Sequence, residues 1–219
     1  MARLKVGVLI SGRGSNLLAL LQACGQPDFP AEIVLVVSDR ADAAGLGHAD
    51  RAGVPTAIVP HRDYADREAF DRVVSAALEA AGVELVCLAG FLRIFSPWFP
   101  ARWPDRIVNI HPSLLPAFKG LRVQQQAIDA GVRLSGATVH LVTADLDAGP
   151  IIAQAAVPVL PDDTADSLAA RILAAEHALY PLVLRWFAEG RVRLERAAGK
   201  PDRVRIDGLG DDAALLRRS

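Results

Sequence analysis

The chain predicts an α/β fold: a mostly parallel sheet with helices on both faces, whose C-terminal half carries an antiparallel strand pair. Three observations carry this expectation. Continuous apolar runs alternate with segments that are apolar at helical spacing, the rhythm of buried parallel strands joined by crossover helices. The first run, residues 5–10, ends in Ser11-Gly12-Arg13-Gly14, a tight turn from strand to helix. Farther on, residues 137–142 and 151–159 read as strands whose connection is too short to hold a crossover helix.

The elements follow in order. After the strand at 5–10 comes a helix over 16–23, a strand over 32–38, and Asp39-Arg40-Ala41-Asp42 leading into a second helix to about 52. Residues 54–59 form a short strand. Residues 63–81 form a long amphipathic helix with Phe70, Val73, Val74, Ala77 and Leu78 on one face. A central strand spans 85–89, and a short buried strand spans 106–110. This first stretch is Rossmann-like. Beyond it the rhythm changes to a short helix at 123–130, the strand pair, and a helix opened by Thr164 that runs to about 188 with Asp166 in its first turn. Residues 191–195 and 204–206 make a terminal hairpin. The tail from Gly208, rich in Gly, Asp and Arg, is expected to fray. No repeat, low-complexity tract or long linker interrupts the chain.

The 219 residues, 52% of them hydrophobic, suffice for one large core, as one domain or as two closely packed lobes. A net charge of −1 argues against a general nucleic-acid binder, which needs a basic face to neutralise phosphates. Cys24 and Cys87 lie in apolar surroundings without a CxxC partner or a His at metal-ligand spacing, and read as buried thiols in a reducing compartment. The start, Met1-Ala2-Arg3-Leu4-Lys5-Val6, runs straight into a strand without the apolar core of a signal peptide. No segment reads as a bilayer span. The expected setting is cytoplasmic, without a membrane or nucleic-acid partner.

Chemistry concentrates in two places. Asn109 and His111 alternate on the strand ending at Pro112, so an amide and an imidazole leave the same face side by side. Asp147 lies in a loop closed by Gly149-Pro150 and either initiates a turn or brings a carboxylate to that imidazole. Asn, His and Asp without a Ser or Cys nucleophile points to a substrate that supplies its own nucleophile. The second place is the glycine turn. The backbone N–H groups at the following helix start form an anion site with the helix dipole, to which Ser15 and Asn16 add donors. Gly12-Arg13-Gly14 taken alone fits an unliganded turn equally well. It lacks the third glycine of a dinucleotide fingerprint and the Gly-Lys-Ser/Thr of a P-loop, so a single monophosphate suits it better than a pyrophosphate.

Four motifs stand in order: Ser11-Gly12-Arg13-Gly14-Ser15-Asn16, Ala89-Gly90-Phe91-Leu92-Arg93-Ile94, Asn109-Ile110-His111-Pro112-Ser113-Leu114-Leu115-Pro116, and Leu146-Asp147-Ala148-Gly149-Pro150. On them the chain resembles the phosphoribosylglycinamide formyltransferase family over roughly residues 4–190. The resemblance implies the formyltransferase fold in a single domain. Its phosphate-binding half would span about 1–105 and its catalytic and folate-binding half about 106–190, with a hairpin and tail over 191–219. It implies formyl transfer from 10-formyltetrahydrofolate to the amine of glycinamide ribonucleotide, without a metal, by a monomer or homodimer. It places the substrate phosphate at Gly12, Arg13, Gly14, Ser15 and Asn16, and the ribose or glycine portion at Glu176. It places the folate against Leu88, Leu92, Arg93, Ile94, Val142, Thr143 and Leu146, and the folate tail near Arg67. Arg67 also fits a solvated helix-start arginine, and Glu176 an exposed helix carboxylate.

Such a reaction needs an oxyanion stabiliser and a route for protons. Asn109 and His111 are candidates to donate to the oxyanion, and Asp147 to hold the imidazole and take up the amine's proton. Thr138 and His140, two apart on the next strand, read as supporting residues, with His140 facing either the site or the core. Two positions depart from the family pattern. Leu173 stands where Lys or Gln is common, and Gln124 where His is common. A formyltetrahydrofolate hydrolase would use water in place of the amine. A methionyl-tRNA formyltransferase would need a further RNA-binding domain. A noncatalytic nucleotide-binding protein would need the glycine turn but not the Asn109, His111, Asp147 set.

Overall fold

A computed structural model of the protein describes residues 2–197 and 199–208, so the tail beyond Gly208 lies outside the described residues. Two compact units divide the chain, Met1–Asn109 and Ile110–Ser219.

In the first unit the strands are β1 (Leu4–Ile10), β2 (Ala31–Ser38), β3 (Thr56–Ile58), β4 (Leu85–Leu88) and β5 (Ile107–His111), which runs across the unit boundary. They pair in parallel in the order β3-β2-β1-β4-β5. Val6, Val8, Leu9 and Ile10 of β1 are fully buried, which is why the strand reads as a continuous apolar run rather than an alternating one. The intervening helices are α1 (Ser15–Cys24), α2 (Leu46–Arg51), α3 (Arg67–Ala80) and α4 (Trp98–Arg102).

Three local expectations need correction. Helix α2 begins at Leu46, not directly after Asp42, and is only six residues long. Helix α3 begins at Arg67 because the Asp66 carboxylate accepts from the Ala69 N–H at 2.8 Å and caps it; His61–Asp63 forms a separate 3-10 turn. Val73 is exposed rather than on the buried face, where Asp71 and Ser75 join Phe70, Val74 and Leu78. Helix α4 was not expected. At five residues, with Pro97 as its cap and Pro100 inside it, it is too short to show a period.

Those two unexpected polar positions tie α3 to α4. Ser75 accepts from the Trp103 indole N–H at 2.9 Å and donates to Glu79 at 2.8 Å. Asp71 accepts from both the N–H and the hydroxyl of Ser96 at 2.7 Å. Burial pushes the Asp71 carboxyl above its ordinary value, opposed by the Ser96 bonds. A carboxyl raised by folding contributes its full stability below the ordinary carboxyl pKa and loses it as pH rises through the raised value. Asp71→Asn keeps an acceptor for Ser96 and removes the buried charge. It should therefore raise stability at pH 7, by up to about 1 kcal/mol, the size of an ordinary single-substitution effect. Urea midpoints at pH 7 and pH 4 should show that advantage shrinking in acid.

In the second unit β6 (Leu134–Leu141) and β7 (Ile151–Pro158) pair antiparallel, as expected. They extend the strand order to β3-β2-β1-β4-β5-β6-β7. Strand β6 starts three residues earlier than the sequence predicts. A Cβ on Gly136 would lie 2.0 Å from the Ala155 carbonyl oxygen, so only glycine fits this close pairing, and Leu-Ser-Gly does not read as a strand. Helix α5 is Val123–Asp129, and β8 (Val192–Glu195) pairs antiparallel with β9 (Arg203–Ile206) as the terminal hairpin. Helix α6 (Ala165–Ala188) opens with a capping box between Thr164 and Ser167. At 24 residues it is long and apolar enough to cross a bilayer by length and composition only, a test that a core helix also passes. In the fold it packs on β6, β7 and α5, with Leu168, Ile172, Leu179 and Tyr180 fully buried.

Candidate active site

The C-terminal end of β5 delivers His111 into the second unit with 5% of its surface exposed. Asn109, two residues earlier on the same strand, is half-buried. His111 Nε2 lies 2.9 Å from the Phe118 carbonyl oxygen and must donate to it. Nδ1 lies 3.5 Å from Asp147 Oδ2. Both ring nitrogens thus face oxygen atoms.

The loop between β6 and β7 carries Asp147 in the left-handed region, φ 47°. Its carboxylate side chain is 7% exposed. Oδ2 also accepts from the Gly120 N–H at 3.0 Å, which ties this loop to the segment following Pro116. Oδ1 lies 3.8 Å from His140 Nε2. A Cβ at Gly149 would stand 1.9 Å from the Leu141 carbonyl oxygen, so the loop closes only on glycine. The Asp147 carboxylate is therefore held between two imidazoles.

His140 sits on β6, 2% exposed, with Nδ1 2.8 Å from the Leu141 carbonyl oxygen. Burial, more than the opposing Leu141 bond and Asp147 charge, holds its pKa below the ordinary imidazole value. Its other ring nitrogen, Nε2, is turned towards Asp147. His140 is thus buried and at the same time lies beside Asp147.

Thr138 supports the arrangement from below. Its hydroxyl donates to the Ser113 carbonyl at 2.7 Å and accepts from the Leu115 N–H at 3.0 Å and the Gln154 amide at 2.9 Å. The Ser113 hydroxyl donates to the Ala117 carbonyl at 2.7 Å, and Gln154 donates to Leu115 at 2.8 Å. These bonds fix the turn that presents Phe118 to His111. Gln154 was not singled out from the sequence; an isolated amide on a strand carries no spacing signal.

The glycine turn lies in the first unit. Gly14 is the cap of α1 with φ 72°, and a Cβ there would stand 2.5 Å from Gly45 Cα. Gly45 donates to the Gly12 carbonyl at 3.0 Å. Gly14 is thus required both by its backbone angle and by a second loop lying against it. Gly45 escaped the sequence reading because the contact spans thirty-one positions with no motif linking them. Ser11 escaped too: its buried hydroxyl accepts from the Leu92 N–H at 2.9 Å, coupling the turn to the segment after β4. Arg13 is exposed, Ser15 half-buried and Asn16 buried on α1.

Arg67, Leu92, Arg93 and Ile94 come together around a cavity of about 410 Å³, joined by His61 and Tyr64. Leu92 and Ile94 are largely exposed there. Leu88 does not reach this cavity; it is buried within β4. In the second unit Val142 is half-buried, while Thr143 and Leu146 are exposed on the Asp147 loop. Glu176 is 6% exposed on α6, so it is not the solvated helix carboxylate the sequence allowed. Gln124 and Leu173 are half-buried on α5 and α6. Among the described residues no three His, Cys, Asp or Glu side chains group as a metal site.

Comparison with known proteins gives a consistent picture. The formyl transferase family matches residues 4–184. Phosphoribosylglycinamide formyltransferase of Escherichia coli is 42% identical over 207 residues, covering 94% of this chain and 98% of that protein. The Bos taurus trifunctional purine biosynthetic protein adenosine-3 is 48% identical over 190 residues; 87% of this chain is matched, yet the match spans only 19% of that longer protein. Among solved structures, glycinamide ribonucleotide transformylase 1 from Symbiobacterium toebii superposes with a TM-score of 0.88 at 51% identity, covering 93% of this chain and 94% of that one.

Proposed function

The chain belongs to the formyl transferase family, and on that premise we propose that it transfers the formyl group of 10-formyltetrahydrofolate to the amine of glycinamide ribonucleotide, giving formylglycinamide ribonucleotide and tetrahydrofolate. The observation that carries the reading is the buried Asp147 carboxylate, 3.5 Å from His111 Nδ1, on the loop facing the strand end that also bears Asn109. A carboxylate, an imidazole and an amide are the parts that direct amine attack requires.

The neutral amine attacks the formyl carbon, and the carbonyl oxygen becomes an oxyanion. Asn109 donates its amide N–H to that oxygen. His111, charged against Asp147, adds a second donor: its Nε2–H exchanges the Phe118 carbonyl for the oxyanion, the stronger acceptor. Asp147 accepts the proton lost by the attacking nitrogen, directly or through water. Asp147 then returns that proton, directly or through water, to the folate nitrogen as the carbon–nitrogen bond breaks, so the carboxylate is regenerated. The chain supplies orientation, charge and proton transfer, with no covalent intermediate. The glycine turn at Gly12 to Asn16 takes the ribonucleotide phosphate, Glu176 its ribose or glycine portion, and Arg67 with residues 92–94 the folate. Both reactants are small metabolites, in keeping with a cytoplasmic setting.

The test is the release of tetrahydrofolate followed by absorbance, with and without glycinamide ribonucleotide. The expected result is release that depends on the ribonucleotide. Release at the same rate in its absence would identify a hydrolase instead, and no release in either case would remove the catalytic reading.

A further inference from the structure

A buried charge beside the Arg93 cavity takes no part in the chemistry described so far. Asp39 follows β2, and its side chain is fully buried. The Ser38 hydroxyl bonds to both the N–H and the carbonyl of Arg40, at 3.1 and 2.8 Å, which turns the chain so that Asp39 points inward. Asp39 Oδ2 lies 3.0 Å from Arg93 Nε and 3.5 Å from His61 Nδ1. Neither carboxylate oxygen has an aligned hydrogen bond, so these are charge contacts at short range. A buried carboxylate in that condition is costly unless a full opposite charge compensates it.

The third side of the triangle sets the protonation. Arg93 Nη1 lies 3.2 Å from His61 Nε2, and a guanidinium can only donate. His61 Nε2 is therefore the acceptor, and its proton sits on Nδ1, facing Asp39. The three side chains close a triangle of contacts around the Arg93 guanidinium. Nε and Nη1 of Arg93 are engaged, which leaves Nη2 as the donor edge for a ligand. Arg67 lines the same cavity from the first turn of α3.

The geometry points to Asp39 and His61 as positioning residues that hold the Arg93 guanidinium ready for a carboxylate of the folate's glutamate tail, an inference that rests on the folate assignment above. An arginine already fixed in place loses less side-chain entropy when it meets its anion. The alternative electrostatic effect, in which Asp39 merely cancels the Arg93 charge, has the opposite sign for affinity.

Titration calorimetry with pteroylglutamate and with pteroamide, in which a neutral amide replaces the glutamate, separates the two. Wild-type protein should prefer pteroylglutamate. Arg93→Ala should lose that preference by about ten- to a hundredfold, as for a lost hydrogen bond to a charged group. Asp39→Asn and His61→Phe should each lose a substantial part of it, read as a fall in the ratio of the two affinities. His61→Gln, which restores an acceptor for Arg93, should recover some. Asp39→Asn combined with Arg93→Ala should be no worse than Arg93→Ala alone. Thermal melts check that each variant folds, and the Asn and Gln variants keep the shape of the originals. Wild-type protein that binds neither compound overturns the folate assignment and this inference with it. A wild-type preference that survives or strengthens in Asp39→Asn and His61→Phe overturns this inference alone.

Discussion

Replacing Asp147 with Asn is expected to leave both reactants bound and to slow formyl transfer by a hundredfold or more, on the order of a lost acid–base group. The substitution keeps an oxygen for the Gly120 N–H at 3.0 Å, so the loop can retain its shape. It removes two things at once. The negative charge facing His111 Nδ1 disappears, and so does the only carboxylate placed to take the amine's proton among the described residues of this cluster. Steady-state kinetics should show a fall in turnover with little change in either Michaelis constant. The limb of the pH–rate profile that depends on this carboxylate should flatten or move. Near-native turnover with an unchanged profile would reduce Asp147 to a turn residue and remove the mechanism.

Truncating either proposed oxyanion donor is expected to have the second large effect. Asn109→Ala and His111→Ala should each raise the barrier by about 3 kcal/mol, the usual cost of losing one donor at a tetrahedral oxyanion. That is a loss of roughly a hundredfold in turnover. His111→Ala should be the more disruptive. It also leaves the Phe118 carbonyl and the buried Asp147 carboxylate without the imidazole between them. A urea titration of each variant separates that loss of stability from the loss of rate. If calorimetry shows weakened binding while turnover at saturation is unchanged, Asn109 and His111 bind substrate rather than stabilise the oxyanion.

Much of this protein could be read before its structure. The β1 run, the antiparallel β6–β7 pair and the Thr164 cap follow from local rules: burial on both faces makes a run continuous, a short connection forbids a crossover, and a hydroxyl before an apolar helix caps it. The placing of Asn109 and His111 on one face of β5 is a consequence of strand geometry alone. The extent of α3 and the existence of α4 were not legible. The first depends on which of Asp63 and Asp66 turns its carboxylate to the Ala69 N–H, and the second is too short to have a period.

The site divides along the same line. Residue types and their order along the chain single out Asn109, His111, Asp147 and the glycine turn as candidates, because strand alternation and turn chemistry act over a few residues. Partnership across long separations had to come from the fold. Asp147 meets His140 as well as His111, Gly14 lies on Gly45, Ser11 receives the Leu92 N–H, and Asp39 pairs with Arg93. Each of these contacts joins segments whose spacing encodes nothing, and each exists because the parallel sheet or the β6–β7 pair brings strand ends together. Local sequence determines which groups a strand end presents; only packing decides which of them meet, since a buried charge or a glycine-only contact is specified by its surroundings and not by its neighbours in the chain.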